Sequence, residues 1–188
     1  MTSLQDLADG VNRLNKHLGQ ALAWLTLGMV LLQFAIVVMR YIFGIGSVMA
    51  QEAMVYMHAT AFLLGASYTL LENGHVRCDI FYRDAQPKRR ALIDLVGAFV
   101  FLLPVCAMIL WVSLPYVLNA WAVLEGSSEG RLGIPAVFLL KTAMPICAVL
   151  LGLQGLSMAL SASLRLGGWE GLSDLEDFVG DSEQESGR

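Results

Sequence analysis

The chain has 188 residues, of which 56% are hydrophobic and 15% charged, with mean hydropathy +0.62, a composition that excludes a soluble domain and describes an integral membrane protein. The net charge of -4 is set by the tail, where Glu170, Asp174, Glu176, Asp177, Asp181, Glu183 and Glu185 are concentrated; the body is mildly basic, as suits an anionic leaflet. The basic residues form no stripe with interleaved aromatics, which argues against nucleic-acid binding. No constellation has the residue types of an enzyme active site.

Residues 1–17 open the chain with Leu4, Leu7, Ala8, Val11 and Leu14 at three- and four-residue spacing, continuing to Leu18. Asp6, Asp9, Asn12, Arg13 and Lys16 fill much of the opposite side, and Ser3 suits an N-cap. The spacing predicts an amphipathic helix, either lying at the inner leaflet before turning into the first span or docking a partner.

The membrane domain, 18–165, is predicted to hold four spans, since roughly 20 apolar residues cross the hydrocarbon. They are placed at about 18–39, 53–71, 92–122 and 135–164. The first is too long for a signal peptide's apolar region and no small-residue cleavage site follows it, so it is read as uncleaved. The charge-free run of the third, Leu95 to Leu124, covers about 45 Å at ~1.5 Å per residue. It must tilt, or protrude and break, and Pro104 and Pro115 are the expected kink sites. Such kinks serve packing or gating. Pro135 suits the first turn of the fourth span. Residues 166–188 are Gly-, Ser- and acid-rich, which predicts a disordered tail.

Orientation follows from Lys and Arg in short connectors. Arg13, Lys16, Arg77, Arg83, Lys88, Arg89, Arg90 and Arg165 lie on one side, against Arg40 and Arg131 on the other. Both termini and the middle connector are therefore expected in the cytoplasm.

Charges near lipid carry a functional hypothesis by default. Arg40, Glu52 and Lys141 all fall in the outer half of the bundle, where Glu52 is expected to pair with Arg40 or Lys141. Lys141 could instead snorkel to the headgroups, pair with a partner, or touch a substrate. His58, near the middle of the second span, is read as a buried histidine bonded to a neighbouring helix, with proton relay or haem as alternatives. His17 and His75 map to the cytoplasmic boundary, so no pair of histidines shares a level for haem. Asp94 is expected to pair with a basic residue of the middle connector. Cys106 and Cys147 read as small apolar fillers. Trp121 and Tyr116 suit the outer interface and Tyr82 the inner one. Gly65-Ala66-Ser67, and Gly152 with Gly155, would permit close helix approach.

The middle connector reads Gly74-His75-Val76-Arg77-Cys78-Asp79-Ile80-Phe81, and Arg40-Tyr41-Ile42-Phe43-Gly44 ends the first span, with Glu52 and Tyr56 beginning the second. Together these blocks resemble the small membrane subunit (DctQ-like) of tripartite ATP-independent periplasmic (TRAP) transporters, whose connector typically shows Gly-x-His-x-Arg-x-Asp. The resemblance covers roughly residues 14 to 165. Cys78 stands where valine is more usual, and Met49 and Gln51 replace a tryptophan and an acid often found beside the retained Glu52.

The resemblance implies a multi-pass protein of the bacterial inner membrane that binds no cofactor itself. It would pack beside a large elevator-type membrane subunit that moves an organic acid with sodium. A periplasmic binding protein would deliver that acid, and the outer connectors around Gly44 to Gln51 and Glu125 to Gly133 are its possible contacts. Arg77 and Asp79 would form a charge pair organising the cytoplasmic turn.

Two other functions compete with this reading. A self-assembled four-helix channel or carrier needs a polar seam, yet His58, Thr60, Ser67 and Thr69 form no continuous face at 3.6-residue spacing. A membrane anchor of a redox enzyme lacks the histidine pair.

Overall fold

The computed structural model describes residues 2–72 and 87–166. Every regular element among them is helical: α1 (Thr2–Tyr41), α2 (Val48–Leu71), α3 (Pro87–Gly97), a π turn (Ala98–Leu102), α4 (Leu103–Ala122), a 3-10 turn (Gly130–Leu132) and α5 (Val137–Leu166). Four helical segments are long and apolar enough to cross a membrane, at Ala8–Tyr41, Val48–Leu71, Arg89–Ala122 and Val137–Ser163. The protein is a multi-pass, all-α membrane protein.

α1 runs unbroken for 40 residues, about 60 Å at ~1.5 Å each. No turn separates an amphipathic segment from a first span. α1 has no proline, and its polar residues near Asn12 and Asn15 bond to α5, so the helix has a reason to continue straight past them.

Beyond Tyr41 the chain reverses over five residues. The Ile42 N–H donates to Val38 O at 2.9 Å and the Ile45 N–H to Met39 O at 3.0 Å. Gly44 takes φ +68°, the left-handed region that glycine enters without a Cβ penalty. Ser47 then caps α2, its Oγ accepting from the Ala50 N–H at 3.3 Å.

The third span breaks where proline chemistry requires it. Pro104 has no N–H and its ring crowds the carbonyl four residues back. The preceding turn widens to a π turn, in which the Leu103 N–H reaches Ala98 O, five residues away. Pro115 stays inside continuous α4 and Pro145 inside continuous α5. Of the two expected kink sites, only Pro104 is accompanied by a break in the helical pattern.

α4 ends with the Glu125 N–H bonded to Ala120 O at 2.9 Å and the Leu124 N–H to Trp121 O at 3.2 Å. This is the Schellman pattern, normally completed by glycine. Here Leu124 occupies the left-handed position, φ 45°.

α5 is the hub. It packs on α1, α2 and the third span, whereas α1 packs mainly on α2. Within the apolar windows of the spans, 44% of α5 is buried, against 6% of α1, 6% of α2 and 11% of the third. The array is therefore open: three helices lean on a fourth and leave their outer faces uncovered.

Small residues let the backbones approach. Ala98, Ala120, Ala148 and Ala159 are buried, as are Cys106 and Cys147. Gly152 faces Cys106, Gly155 lies beneath Leu102, and Gly19 lies beneath the Tyr68 ring. Without a strong hydrophobic force between helices in lipid, such close packing is a main source of association.

Candidate functional site

Two polar clusters sit on α5, one at its first turns and one past its middle. The first lies where α2, α4 and α5 meet the 123–136 connector. Glu52, in the first turns of α2, accepts a hydrogen bond from Ser127 Oγ and one from the Ile134 N–H at 2.6 Å. Ser127 Oγ also accepts from the Glu129 N–H at 3.0 Å, which turns the connector back on itself. Gly133 is buried at this crossing, and a Cβ there would collide with Ser127 and approach Glu52 Oε2 to 2.6 Å. The carboxylate thus holds together two stretches of a connector that a larger residue would push apart.

Lys141, about one turn into α5, meets a different acid from the one expected. Its Nζ donates to both oxygens of Glu125, at 2.7 and 2.5 Å, and stands 4.0 Å from the Tyr116 ring centroid. The Lys141 side chain is 14% exposed and that of Glu125 38%. A bidentate carboxylate and an aromatic face satisfy the ammonium locally, so it need not snorkel to the headgroups. Beside it, Trp121 Nε1–H donates to Thr142 Oγ1 at 2.9 Å, and the Trp121 and Phe138 rings meet edge to face at 4.7 Å. These contacts tie the connector to three helices.

Arg40 does not meet Glu52. It is exposed at the end of α1, on the rim of a small cavity between α1 and α2. The expected pairings of Glu52 with Arg40 or Lys141 are therefore replaced by Glu52 with the connector and Lys141 with Glu125. The apolar stem of Lys141 carries its charge back over Tyr116, bringing it to the connector rather than across to α2.

The second cluster joins α1 to α5. Asn15 Nδ2–H donates to Gln154 Oε1 at 2.6 Å, Gln154 Nε2–H to Asn12 Oδ1 at 3.1 Å, and Ser157 Oγ–H to Asn12 Oδ1 at 3.2 Å. Asn15 is fully buried, and Gln154 and Ser157 nearly so. Asn15 Oδ1 has no donor. The amides are uncharged and used on one another, which crosslinks two spans.

His58 differs from its reading as a buried, bonded histidine. It is exposed on the outward side of α2, with its ring 6.4 Å from that of Phe62 and nearly parallel to it. α2 contributes little to the interior, so a mid-span position on it is no guarantee of burial. Asp94 is half-buried in α3, four residues after Arg90, and both are engaged by neighbours. His75, Arg77, Asp79 and Tyr82 lie outside the described residues, as does the acidic tail.

Several structural residues escaped the sequence reading. Asn12 was legible only as part of a polar side, and Asn15, three residues on, shares its helix face. The available signal was that pair of amides opposite a lone glutamine in an otherwise apolar run. Glu125, Ser127 and Gly133 carried no periodic signal, because connectors have none.

The family model described as "Tripartite ATP-independent periplasmic transporters, DctQ component" matches residues 29–165. No curated protein and no solved structure matches the chain. The match takes in all of α2 to α4, the Glu52 and Lys141 cluster, and both Gln154 and Ser157.

Proposed function

From the premise that this chain belongs to the DctQ family, the small components of TRAP transporters, we propose that it is a scaffold for a large elevator-type membrane subunit and does not itself translocate solute. The transported solute would be an organic acid, delivered by a periplasmic binding protein, and sodium coupling would reside in the large subunit. In this reading the chain sits in the bacterial inner membrane, with both termini and the middle connector in the cytoplasm and the 42–47 and 123–136 connectors facing outward.

The observation that carries the scaffold reading is the open array around α5. A translocating bundle needs a polar path enclosed by its helices. Among the described residues the buried polar side chains are mostly bonded to one another or to their own helix backbones: Asn12, Asn15, Gln154 and Ser157 among themselves, and Ser67 and Ser113 to Leu64 O and Leu110 O. The Tyr56 hydroxyl and Asn15 Oδ1 are buried without a partner but line no continuous path. Large apolar side chains instead line the outside, among them Phe34, Phe62, Phe101, Met108 and Trp111. Such a surface suits lipid on one side and a hydrophobic partner on the other.

A scaffold must resist being dragged as its neighbour moves. The Glu52 cluster and the Asn15–Gln154 cluster fasten α5 at its start and past its middle, which opposes sliding of the spans along one another. The 123–136 connector, held by Glu52, would give a binding protein a fixed surface.

Uptake in liposomes tests this. The large subunit, this chain and the binding protein together are expected to accumulate solute, the large subunit with binding protein far less, and this chain alone not at all. Conductance or uptake by this chain alone would favour a self-assembled channel and end the scaffold reading.

A further inference from the structure

We propose that the outer ends of α1 and α2 form a binding groove for one phospholipid, with Arg40 taking its phosphate and the α1–α2 crevice taking part of an acyl chain. A cavity of about 190 Å³ lies there, lined by Leu32, Ala35, Ile36 and Met39 of α1 and Ala50 of α2, with Arg40, Ser47 and Gln51 as its polar residues. Its lining is almost wholly apolar, which excludes a soluble polar metabolite and fits hydrocarbon.

Three features select the occupant. Among the described residues Arg40 has no acidic partner, and at the end of a membrane span its guanidinium lies at the depth of lipid phosphates. Tyr41, next in the chain, is 81% exposed, and tyrosine at a span end marks headgroup depth. Ile36 and Leu32 lie four and eight residues before Arg40, about 6 and 12 Å deeper along the helix. A phosphate at Arg40 would therefore leave its acyl chain pointing down the groove. The guanidinium supplies a planar fork suited to phosphate oxygens.

The division of labour follows from the solvent. Lipid tails are as apolar as the groove wall, so the crevice contributes fit rather than a hydrophobic gain, and a bulky side chain within it excludes the acyl chain. Selection over bulk lipid then falls to the arginine. Ala35 and Ala50 matter because they keep the crevice open.

The test is native mass spectrometry of the full chain, delipidated in a nonionic detergent and titrated with phosphatidylglycerol. A one-to-one adduct is expected. Arg40→Gln should lower its population about three- to tenfold, the effect of losing a charge-assisted hydrogen bond at a partly wetted site. Ala35→Trp, which fills the crevice and keeps the charge, should lower it comparably. Arg131→Gln, which removes an exposed cation on the other connector at the same end, should leave it unchanged.

Adducts that survive both groove variants overturn the assignment, as does equal binding of glycerol phosphate, which would show an anion site with no acyl component. If the lipid is lost when the chain is copurified with a large membrane partner, the groove seats protein and the proposal also falls.

Discussion

Removing the Asn15–Gln154 crosslink gives a double-mutant cycle whose outcome can be worked out from the geometry. Asn15 is 0% exposed and Gln154 4%, so neither can exchange its partner for water when the other is truncated. Asn15→Ala deletes the 2.6 Å bond and orphans Gln154 Oε1, a penalty of ~1–3 kcal/mol for a buried group. It also deletes Asn15 Oδ1, which has no donor, and this offsets part of the loss. Gln154→Ala orphans the Asn15 amide donor and removes one of the two donors to Asn12 Oδ1, with nothing to offset either. The cost should therefore be ordered: about 1–2 kcal/mol for Asn15→Ala and about 2–3 kcal/mol for Gln154→Ala. The double variant should cost less than the sum by about 1–1.5 kcal/mol, near the upper end of interhelical hydrogen bonds measured in membrane proteins. The assay is SDS titration of the full chain in mixed micelles, followed by helical circular dichroism. Additivity within about 0.5 kcal/mol, or Asn15→Ala costing more than Gln154→Ala, would refute the crosslink.

Three further outcomes are expected. Gly133→Ala drives a methyl group into Ser127 and Glu52 and should cost about 1–3 kcal/mol, as overpacking does; unchanged stability in the same titration would show that the connector yields freely. Lys141→Met leaves the Glu125 carboxylate without the bidentate partner it has now and should lower the thermal midpoint, while Lys141→Met with Glu125→Gln should recover most of the loss, read from tryptophan fluorescence because Trp121 is bonded to the adjoining Thr142. Leu124→Gly relieves a left-handed leucine and should raise stability by about 1 kcal/mol; a lower midpoint would mean that the exposed Leu124 side chain does more in the folded chain than its backbone costs.

How much was legible in the sequence depended on whether the relevant physics is local. Four spans were readable because hydrocarbon thickness imposes an apolar run of a given length, whatever the partners. The close-approach glycines of α5 were readable because Gly152 and Gly155 are small residues in a helix that must pack. Partner choice was not. Lys141 could have reached Glu52 or Glu125, and the choice was made by the left-handed turn at Leu124, which swings Glu125 back over the head of α5. No periodicity encodes that turn. Nor did His58 reveal its exposure, since burial along α2 depends on which side α5 occupies, and α2 is apolar almost all round.

The placement of the two polar clusters gives the scaffold reading its mechanical content. Packing through alanine, glycine and cysteine is smooth: it holds helices side by side but offers little resistance to axial sliding. Hydrogen bonds are different, because a shift of one or two ångströms takes a 2.6 Å bond beyond its useful range. Glu52 pins α2 to the connector entering α5, Lys141 pins α5 to Glu125 at the end of α4, and Gln154 pins α5 to α1 deeper in the bundle. Each of these polar fastenings thus binds a different helix to α5 or to the connector leading into it. A load applied to the exposed apolar side of any one span is shared by all four, which is what a neighbour with a moving domain requires of the part that stays still. In that reading, loosening Gln154 should impair uptake by the assembled transporter even where the complex still forms, because assembly would use the outer faces and bracing the pins.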